Sequence, residues 1–247
     1  MAKRKRRKLS KAQAKEHALR QKKRRRLNWT LAGVVAVAVI VVMALIYLTG
    51  GDTNLIEVEP LRADIETGLT EEGYPYRGSA DAPVTVIEVS DYRCPSCADF
   101  ALNAASQIDD ELIATGQVRY IVQPFALWEE SMPIAEAAAC ARDQGDFWDF
   151  HHLAFANQSL LLSRRPSLSS VLRQLAEAIE LDVDEFQNCL DEGSHEQDLL
   201  ASVENAKVEK GVSGTPTFFV NGTLTQLYRD EAYFDTIRKA VEAAASE

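Results

Sequence analysis

Two cysteines separated by two residues, Cys94 and Cys97, are the side chains of this sequence with the clearest chemical potential. They follow an apolar, β-branched run at residues 84–89, which is typical of a strand buried on both faces. Pro95 suits the first turn of a helix, because the N–H that proline lacks would have no helical partner there. The sequence therefore predicts a strand, a short turn, and a helix that begins at the cysteine pair and continues to about residue 113.

A cysteine at a helix start is a good nucleophile for disulfide exchange. The free N–H groups and the positive end of the helix dipole favour its thiolate form. Cys97 lies about one helical turn beyond Cys94, so the two sulfurs can form a disulfide bond or open it. We expect Cys94 to be the exposed, attacking sulfur and Cys97 the more buried, resolving one. Pro95 and Ser96 form the active-site turn between them.

The same cysteine spacing also occurs in zinc sites, where such a pair supplies half of the ligands. A zinc site needs two further ligands, usually a second close cysteine pair or two spaced histidines. Cys140 and Cys189 are isolated in the sequence, and the adjacent His151 and His152 cannot both face one metal from a single helix face. The spacing favours redox chemistry over zinc, and no metal or other cofactor is expected.

Three motifs, in the same order along the chain, resemble the DsbA-like branch of the thioredoxin family. The first is Cys-Pro-Ser-Cys after a strand that ends Glu-Val-Ser-Asp-Tyr, and the last is Gly-Thr-Pro-Thr-Phe-Phe-Val-Asn-Gly at residues 214–222. Between them, residues 143–151 and 155–158 resemble the helical insertion of that branch. The resemblance covers roughly residues 70–245. It implies an α/β thioredoxin fold, a helical insertion at about 131–208, and thiol:disulfide oxidoreductase activity.

The resemblance also implies that Thr215 and Pro216 bind substrate. In thioredoxin-like proteins the matching proline follows a cis peptide bond and faces the disulfide, which exposes the backbone of the preceding residue. A substrate peptide then pairs with Thr215 as an added strand beside Cys94. The general alternative is an ordinary trans proline at the start of a strand.

Glu88 lies within the apolar strand, six residues before Cys94. A carboxylate there costs free energy unless it stays protonated or finds a partner. The resemblance implies that Glu88 lies beneath Cys97 and helps to move its proton through a water molecule. The alternative is a surface-facing glutamate at the end of the strand.

The remaining cysteines, Cys140 and Cys189, are 49 residues apart in predicted helices of the insertion. Free thiols outside the cytoplasm would oxidise, so a structural disulfide between them is the simpler hypothesis. A redox relay between this pair and the Cys94–Cys97 pair is the alternative. Several members of the family that the chain resembles have such a second pair.

Aromatic residues are concentrated in the predicted insertion, where their helical spacing indicates packing in the core rather than a substrate groove. These residues are Phe147, Trp148, Phe150 and Phe155. The two histidines between them, His151 and His152, are expected to be partly exposed.

The charge of −10 conceals two regions of opposite sign. Residues 1–28 hold 14 Lys or Arg and one acidic residue, whereas residues 29–247 hold 13 basic and 36 acidic residues. The basic arm at 1–28 contains no interleaved aromatic residues, which argues against nucleic-acid binding by base stacking. We expect it to set membrane topology and to contact anionic lipid.

No charged residue occurs between Leu27 and Gly51, and residues 29–49 are long enough to cross a bilayer of about 30 Å. We predict an uncleaved transmembrane signal anchor there, because Leu48-Thr49-Gly50-Gly51 is a poor cleavage site for the alternative, a signal peptide. The positive-inside rule places the N-terminus in the cytoplasm and the remainder outside the cell membrane.

After the predicted anchor, residues 50–70 have the composition of an extracytoplasmic linker, with an edge strand considered near residues 56–58 or at Leu69. Residues 71–247 form the predicted DsbA-like domain. An Asn-Gly hairpin at 221–222 and an amphipathic helix at 231–245 are expected to complete it.

The sequence and the resemblance together predict a monomeric enzyme that introduces disulfides into reduced exported proteins. A quinone-linked membrane protein of the DsbB or vitamin-K-epoxide-reductase type is the implied redox partner. DsbA itself has histidine where this chain has Ser96, so we expect a less oxidising cysteine pair. Disulfide reductase or isomerase activity, and a non-catalytic chaperone that holds peptides near Pro216, are the alternatives.

Overall fold

The computed structural model describes residues 22, 23, 25, 29, 33–41, 55–58, 61, 62, 64–225 and 232–246. Contacts divide the chain into two units, Met1–Thr53 and Asn54–Glu247. In the first unit the described residues are helical and exposed. Among described residues, no helix has the length and apolarity needed to cross a membrane. Most of the predicted basic arm and about half of the predicted anchor lie outside the described residues.

The second unit is built on one sheet, which contains six strands within the described residues. The strands are β1 (Thr67–Leu69), β2 (Pro75–Arg77), β3 (Val84–Ser90), β4 (Val118–Pro124), β5 (Thr217–Val220) and β6 (Thr223–Thr225). Their order is β1-β2-β4-β3-β5-β6, with β3 parallel to β4 and antiparallel to β5. Val84, Val86 and Val89 of β3 are fully buried, as the sequence predicts for a central strand.

Helices cover the sheet and form the insertion. They are α1 (Pro95–Asn103), α2 (Ala105–Ile108), α3 (Met132–Asp143), α4 (Phe147–Ala156), α5 (Gln158–Leu161), α6 (Leu168–Ala178), α7 (Val183–Glu192), α8 (Glu196–Glu204) and α9 (Tyr233–Ala244). Helices α3 to α8 lie between β4 and β5 in the chain. The predicted thioredoxin-like α/β fold with a helical insertion is therefore confirmed.

The helix predicted from the cysteine pair to residue 113 is not continuous. Helix α1 ends at Asn103, and a second short helix is followed by a π-helical turn at Asp109–Ile113. The π-helical turn buries Asp109, Leu112 and Ile113 together. These positions are three and four residues apart, as on one face of a helix, so the carboxylate of Asp109 lies on the buried side of the turn.

Residues in the segment predicted to be a linker also pack on the domain. Strand β1 lies in this segment and pairs with β2, and Ile65, also in the segment, is buried in the core. Ile56 donates its N–H to the Asn157 side chain at 2.7 Å, and the Asn157 amide donates to the Ile56 carbonyl at 3.0 Å. These contacts attach the segment to the insertion. Of the two positions considered for an edge strand, Leu69 is correct.

The hairpin predicted at Asn221-Gly222 joins β5 to β6. Both residues have positive φ, 45° and 80°, as a tight hairpin turn with right-handed strand twist requires. Within the described residues the second strand spans Thr223–Thr225, and residues 226–231 lie outside them.

Candidate active site

The cysteine pair lies where the chain leaves β3 and enters α1. Cys94 is the N-cap residue of α1, and Pro95 occupies its first turn. Cys94 is 6% exposed and Cys97 is 0% exposed, and both are free thiols. The predicted order of exposure is therefore correct, but Cys94 is largely covered rather than exposed. The segment before β5 covers it, because the Cys94 thiol donates a hydrogen bond to the Thr215 carbonyl oxygen at 3.2 Å.

The two sulfurs differ in acidity. A hydrogen bond from the Cys97 thiol, with others from Thr215 and from the backbone N–H groups of Cys97 and Ser96, lowers the pKa of Cys94 to about 6 against the effect of burial. Burial and the negative charges of Cys94 and Glu88 raise the pKa of Cys97 well above its usual value. Near neutral pH, Cys94 is a thiolate and Cys97 a thiol, which is the division of roles that disulfide exchange requires.

Thr215 and Pro216 meet the cysteine pair because β5 pairs with β3. Val89 of β3 lies opposite Thr217 of β5, so the chain just before β5 passes the start of α1. The peptide bond between Thr215 and Pro216 is cis. The structure thus brings Thr215 to Cys94 across 121 residues of sequence.

Glu88 is inside the protein and not at the surface. Its side chain is 1% exposed, and the Tyr120 hydroxyl of the neighbouring strand donates a hydrogen bond to Oε2. The other carboxylate oxygen, Oε1, has no hydrogen-bond partner among the described residues. Burial raises the pKa of Glu88 to about 7, against the effect of hydrogen bonds from Tyr120 and Ser90. Glu88 therefore gains or loses a proton near neutral pH.

Asp91 holds the active-site loop, a role that the sequence analysis does not identify. Its Oδ1 accepts the N–H of Arg93 at 2.7 Å, and its Oδ2 accepts the N–H of Leu127 at 2.6 Å. The Ser131 hydroxyl donates to the same carboxylate at 2.8 Å. Asp91 thus connects the loop after β3 to the loop after β4. An aspartate at the end of a strand, two residues before a turn residue, is the sequence signal for such a turn.

Two further contacts from the insertion support the active-site loop. The Gln158 side-chain amide donates to the carbonyl oxygens of Tyr92 and Cys94, both at 2.9 Å. The Tyr92 hydroxyl lies 2.9 Å from Nδ1 of His151. Burial lowers the pKa of His151 to about 3, so the imidazole is neutral and shares one hydrogen bond between Nδ1 and the Tyr92 hydroxyl.

His151 is therefore buried, which corrects the expectation that it is partly exposed, whereas His152 is partly exposed as predicted. His151 packs against the rings of Phe147 and Phe155, which are part of the buried core. A neutral histidine fits there because it carries no charge to desolvate and Nδ1 is hydrogen-bonded to Tyr92.

Cys140 and Cys189 form a disulfide bond between α3 and α7. Among the described residues, the one group of Cys, His and acidic side chains with metal-ligand spacing is Cys140, Cys189 and His195, and both of its sulfurs are in this disulfide. Cys94 and Cys97 belong to no such group within the described residues. The geometry therefore favours redox chemistry over a zinc half-site at Cys94.

A cysteine pair at a helix start, a buried acid on the adjacent central strand and a cis-proline segment in contact with the first sulfur define a class of protein. This arrangement, on a thioredoxin-like sheet with a helical insertion, is that of a DsbA-like protein-disulfide oxidoreductase domain.

A family model described as Thioredoxin matches residues 70–243, and the chain belongs to this family. Disulfide bond formation protein D of Bacillus subtilis is 27% identical over 179 residues, which cover 69% of this chain and 77% of that protein. The crystal structure of oxidised BdbD from Bacillus subtilis has a TM-score of 0.63 and 25% identity, with 74% of this chain and 100% of that chain covered.

Na(+)/H(+) antiporter NhaA 3 of Salinispora tropica is 37% identical over 149 residues, which cover 59% of this chain. The matched region is 21% of that antiporter, so the similarity spans about a fifth of its length.

Proposed function

We propose that this protein introduces disulfide bonds into exported proteins by exchange at Cys94 and Cys97. The observation that carries the proposal is the opposite pKa shifts of the two sulfurs, downward for Cys94 and upward for Cys97. A stabilised Cys94 thiolate is a good leaving group, and it favours the reduced form of the pair, so the disulfide form is an oxidant.

The reaction begins with the Cys94–Cys97 disulfide. A substrate thiolate attacks Cys94 Sγ, the bond between the two protein sulfurs breaks, and Cys97 leaves and takes up a proton. A second substrate thiolate then attacks the substrate sulfur of the mixed disulfide, and Cys94 leaves as a thiolate. Two electrons pass from the substrate dithiol to the protein pair, and the substrate gains a disulfide.

Thr215 and Pro216 are the proposed substrate-binding residues. In the reduced protein the Thr215 carbonyl oxygen accepts the Cys94 thiol proton. When Cys94 is ionised or in a disulfide, that hydrogen bond is lost and the carbonyl oxygen is available to a substrate N–H. An extended substrate peptide then pairs with this backbone as an added strand, which places its cysteine beside Cys94.

Glu88 is the proposed proton donor for Cys97 in the first step. A carboxyl group whose pKa lies near 7 is half protonated at neutral pH, which suits proton transfer in both directions. Its electrostatic influence on Cys97 is consistent with this role.

The Cys140–Cys189 disulfide is proposed to be structural, because it connects two helices of the insertion and Cys140 is buried. Anchoring through residues 29–49, an extracytoplasmic domain and a quinone-linked membrane partner also remain proposals. The anchor and the extracytoplasmic domain are supported by the apolar run and by the basic arm, and the quinone-linked partner by the resemblance to DsbA-like proteins alone. Carbonate extraction of membranes tests the anchor, and digestion of the domain by protease added outside the cell tests its location.

The direction of the reaction is tested by the reduction potential of the pair. We expect equilibration of the full-length protein with glutathione to give a potential above that of thioredoxin, about −270 mV. We also expect the oxidised protein to form disulfides in a reduced, unfolded substrate. A potential at or below that of thioredoxin would indicate a reductase, and no exchange at all would indicate a peptide-holding chaperone.

A further inference from the structure

A cavity lies next to Glu88, between the sheet and the helices that follow the cysteine pair. Its volume is about 400 Å³, including the open solvent at its mouth, and it has room for a water molecule. Glu88, Tyr120 and Arg77 line its sheet side, and Ala105 and Asp109 line its opposite side. The cavity thus extends from a fully buried carboxyl group to partly exposed positions, among them Ala105 and His152.

Two buried polar atoms of cavity-lining residues lack a hydrogen-bond partner among the described residues. They are Oε1 of Glu88 and Nε of Arg77. Buried polar groups in folded proteins are nearly always hydrogen-bonded, to protein or to ordered water. A cavity with room for water and with an acceptor and a donor at its wall satisfies the conditions for a buried water molecule.

The ion pair at the cavity wall keeps this region polar. An Arg77 terminal nitrogen lies 2.9 Å from Oδ2 of Asp109, with side chains 3% and 8% exposed. The Arg77 guanidinium also lies 5.3 Å from the centre of the Trp148 ring. The mechanism proposed above uses neither Arg77 nor Asp109.

We propose that water in this cavity carries protons between Glu88 and solvent, along the Arg77–Asp109 pair and out past Ala105 and His152. The proposal rests on the proposed role of Glu88 as proton donor to Cys97. After Glu88 gives its proton to the leaving Cys97 sulfur, it is a buried carboxylate, which solvent reprotonates through the cavity. On reoxidation Glu88 first returns that proton to solvent and then accepts the proton of the Cys97 thiol, so the proton count balances.

The alternative exit, through the active-site surface, is obstructed in the reduced protein. Cys97 is fully buried, and Cys94 is covered by Thr215. The cavity reaches the partly exposed Ala105 and His152, so on the proposed route a proton leaves without crossing the bound substrate. Arg77 and Asp109 are positioning residues in this scheme, because they order the water and do not touch substrate.

Several charged and titratable groups face this route and contribute to its pH dependence. The sheet contributes Arg77 and Tyr120, and the start of α1 contributes Cys94 and Cys97. The π-helical turn contributes Asp109 and Asp110, and the segment before the sheet contributes Arg62 and Asp64. Helix α4 contributes Asp149, His151 and His152. Burial raises the pKa of Asp109 to about 6, so this carboxyl group also exchanges protons in the same pH range as Glu88.

The test is the rate at which the Glu88 carboxyl proton exchanges with deuterium. In mildly acidic buffer, infrared spectroscopy detects protonated carboxyl groups. The carboxyl band that is present in the wild type and missing in Glu88→Gln belongs to Glu88. Ala105→Leu places an apolar side chain at the mouth of the cavity, and Ala105→Ser is its matched control, because serine is small and polar. We expect exchange about tenfold slower or more in Ala105→Leu, since the proton then waits for local opening, and unchanged in Ala105→Ser.

Equal exchange rates in the wild type, Ala105→Leu and Ala105→Ser would overturn the proposal. A second variant, Arg77→Met/Asp109→Leu, removes the polar wall with side chains of similar volume, a replacement that buried ion pairs often tolerate. It is also expected to slow exchange, and exchange at the wild-type rate in this variant would contradict the assigned path.

A parallel measurement separates this proposal from the proposed role of Glu88. The rate at which a small dithiol reduces the Cys94–Cys97 disulfide is expected to fall in Glu88→Gln. If that rate does not change while deuterium exchange is slowed in Ala105→Leu, the cavity is the proton route of Glu88 but Glu88 does not serve Cys97. If Glu88→Gln slows reduction and Ala105→Leu leaves exchange unchanged, the role of Glu88 stands and the route is wrong.

Discussion

The Cys94 thiol donates a hydrogen bond to the backbone carbonyl of Thr215 at 3.2 Å, although 121 residues separate the two in sequence. The contact joins the start of α1 to the cis-proline segment before β5. It exists only while Cys94 carries its proton, so ionisation of the sulfur frees the backbone atom that a substrate strand would use. The acidity of Cys94 and access to the substrate site are therefore coupled.

Alkylation of the reduced protein across a pH series is expected to give a midpoint near 6 for Cys94. Hydrogen bonds from the Cys97 thiol, from the Thr215 side chain and from the backbone N–H groups at the helix start stabilise the thiolate and lower the pKa of Cys94 to about 6. Mass spectrometry identifies the alkylated cysteine, and Cys94→Ser is the control. A midpoint like that of an ordinary cysteine, about 8.5, would contradict the proposed mechanism.

The same shift predicts how the stability of the reduced protein depends on pH. The pKa of Cys94 is about 6 in the folded state and about 9 in the unfolded state. The stabilisation of the folded protein by the Cys94 thiolate is therefore fully present above pH 9 and is lost as the pH falls through 6. Denaturant titrations should show reduced wild type gaining stability over Cys94→Ala between pH 6 and 9. Equal slopes for the two proteins in this window would show that the thiolate is not stabilised by folding.

Substitution of Glu88 by glutamine is expected to stabilise the protein at pH 8 while slowing reduction of its disulfide. The pKa of Glu88 rises from 4.5 to about 7 on folding, so folding favours its protonated form. The contribution of Glu88 to the free energy of unfolding is therefore highest below pH 4.5, falls as the pH rises towards 7 and is constant above pH 7. Glutamine removes this loss, on the order of 1–3 kcal/mol at pH 8, and a stability difference that does not vary with pH would contradict the burial argument.

Removal of the Cys140–Cys189 disulfide tests whether it is structural. The bond closes a loop of 49 residues, and the double variant Cys140→Ala/Cys189→Ala should lose on the order of 3–4 kcal/mol of unfolding free energy. Because both sulfurs lie in the insertion, the rate of exchange at Cys94 and its alkylation midpoint should not change at a temperature where the variant is folded. A large loss of turnover in the folded variant would support the relay alternative.

Asp91 is expected to hold the active-site turn in place. In Asp91→Asn one carboxylate oxygen is replaced by an amide NH2 group, which cannot accept the N–H of Arg93 or Leu127. One backbone donor is then left unsatisfied, at a cost of about 1–3 kcal/mol. The turn should loosen, and the alkylation midpoint of Cys94 should rise. Asp99→Asn is the matched control, since Asp99 is an exposed carboxylate on α1. Equal midpoints in wild type and Asp91→Asn would show that the turn does not depend on Asp91.

Local patterns predict much of the fold because each element forms under short-range rules. The apolar β-branched run gives β3, and Asn221-Gly222 gives the turn between β5 and β6. The cysteine pair at a helix start is also a local feature, because proline and the cysteine spacing place it. The break in the helix after Asn103 and the π-helical turn at Asp109–Ile113 are not predicted by the local pattern.

The sequence by itself determined the chemistry that is available: two sulfurs at a helix start, an acid within an apolar strand, and a proline before the last core strands. Only the tertiary structure decided which residues tune that chemistry. Asp91, Gln158 and His151 act through partners 36, 66 and 59 residues away, and no periodicity or spacing encodes such contacts. Whether a polar side chain is exposed or buried depends on which elements pack around it, and burial is what shifts the pKa of Glu88 and Cys97.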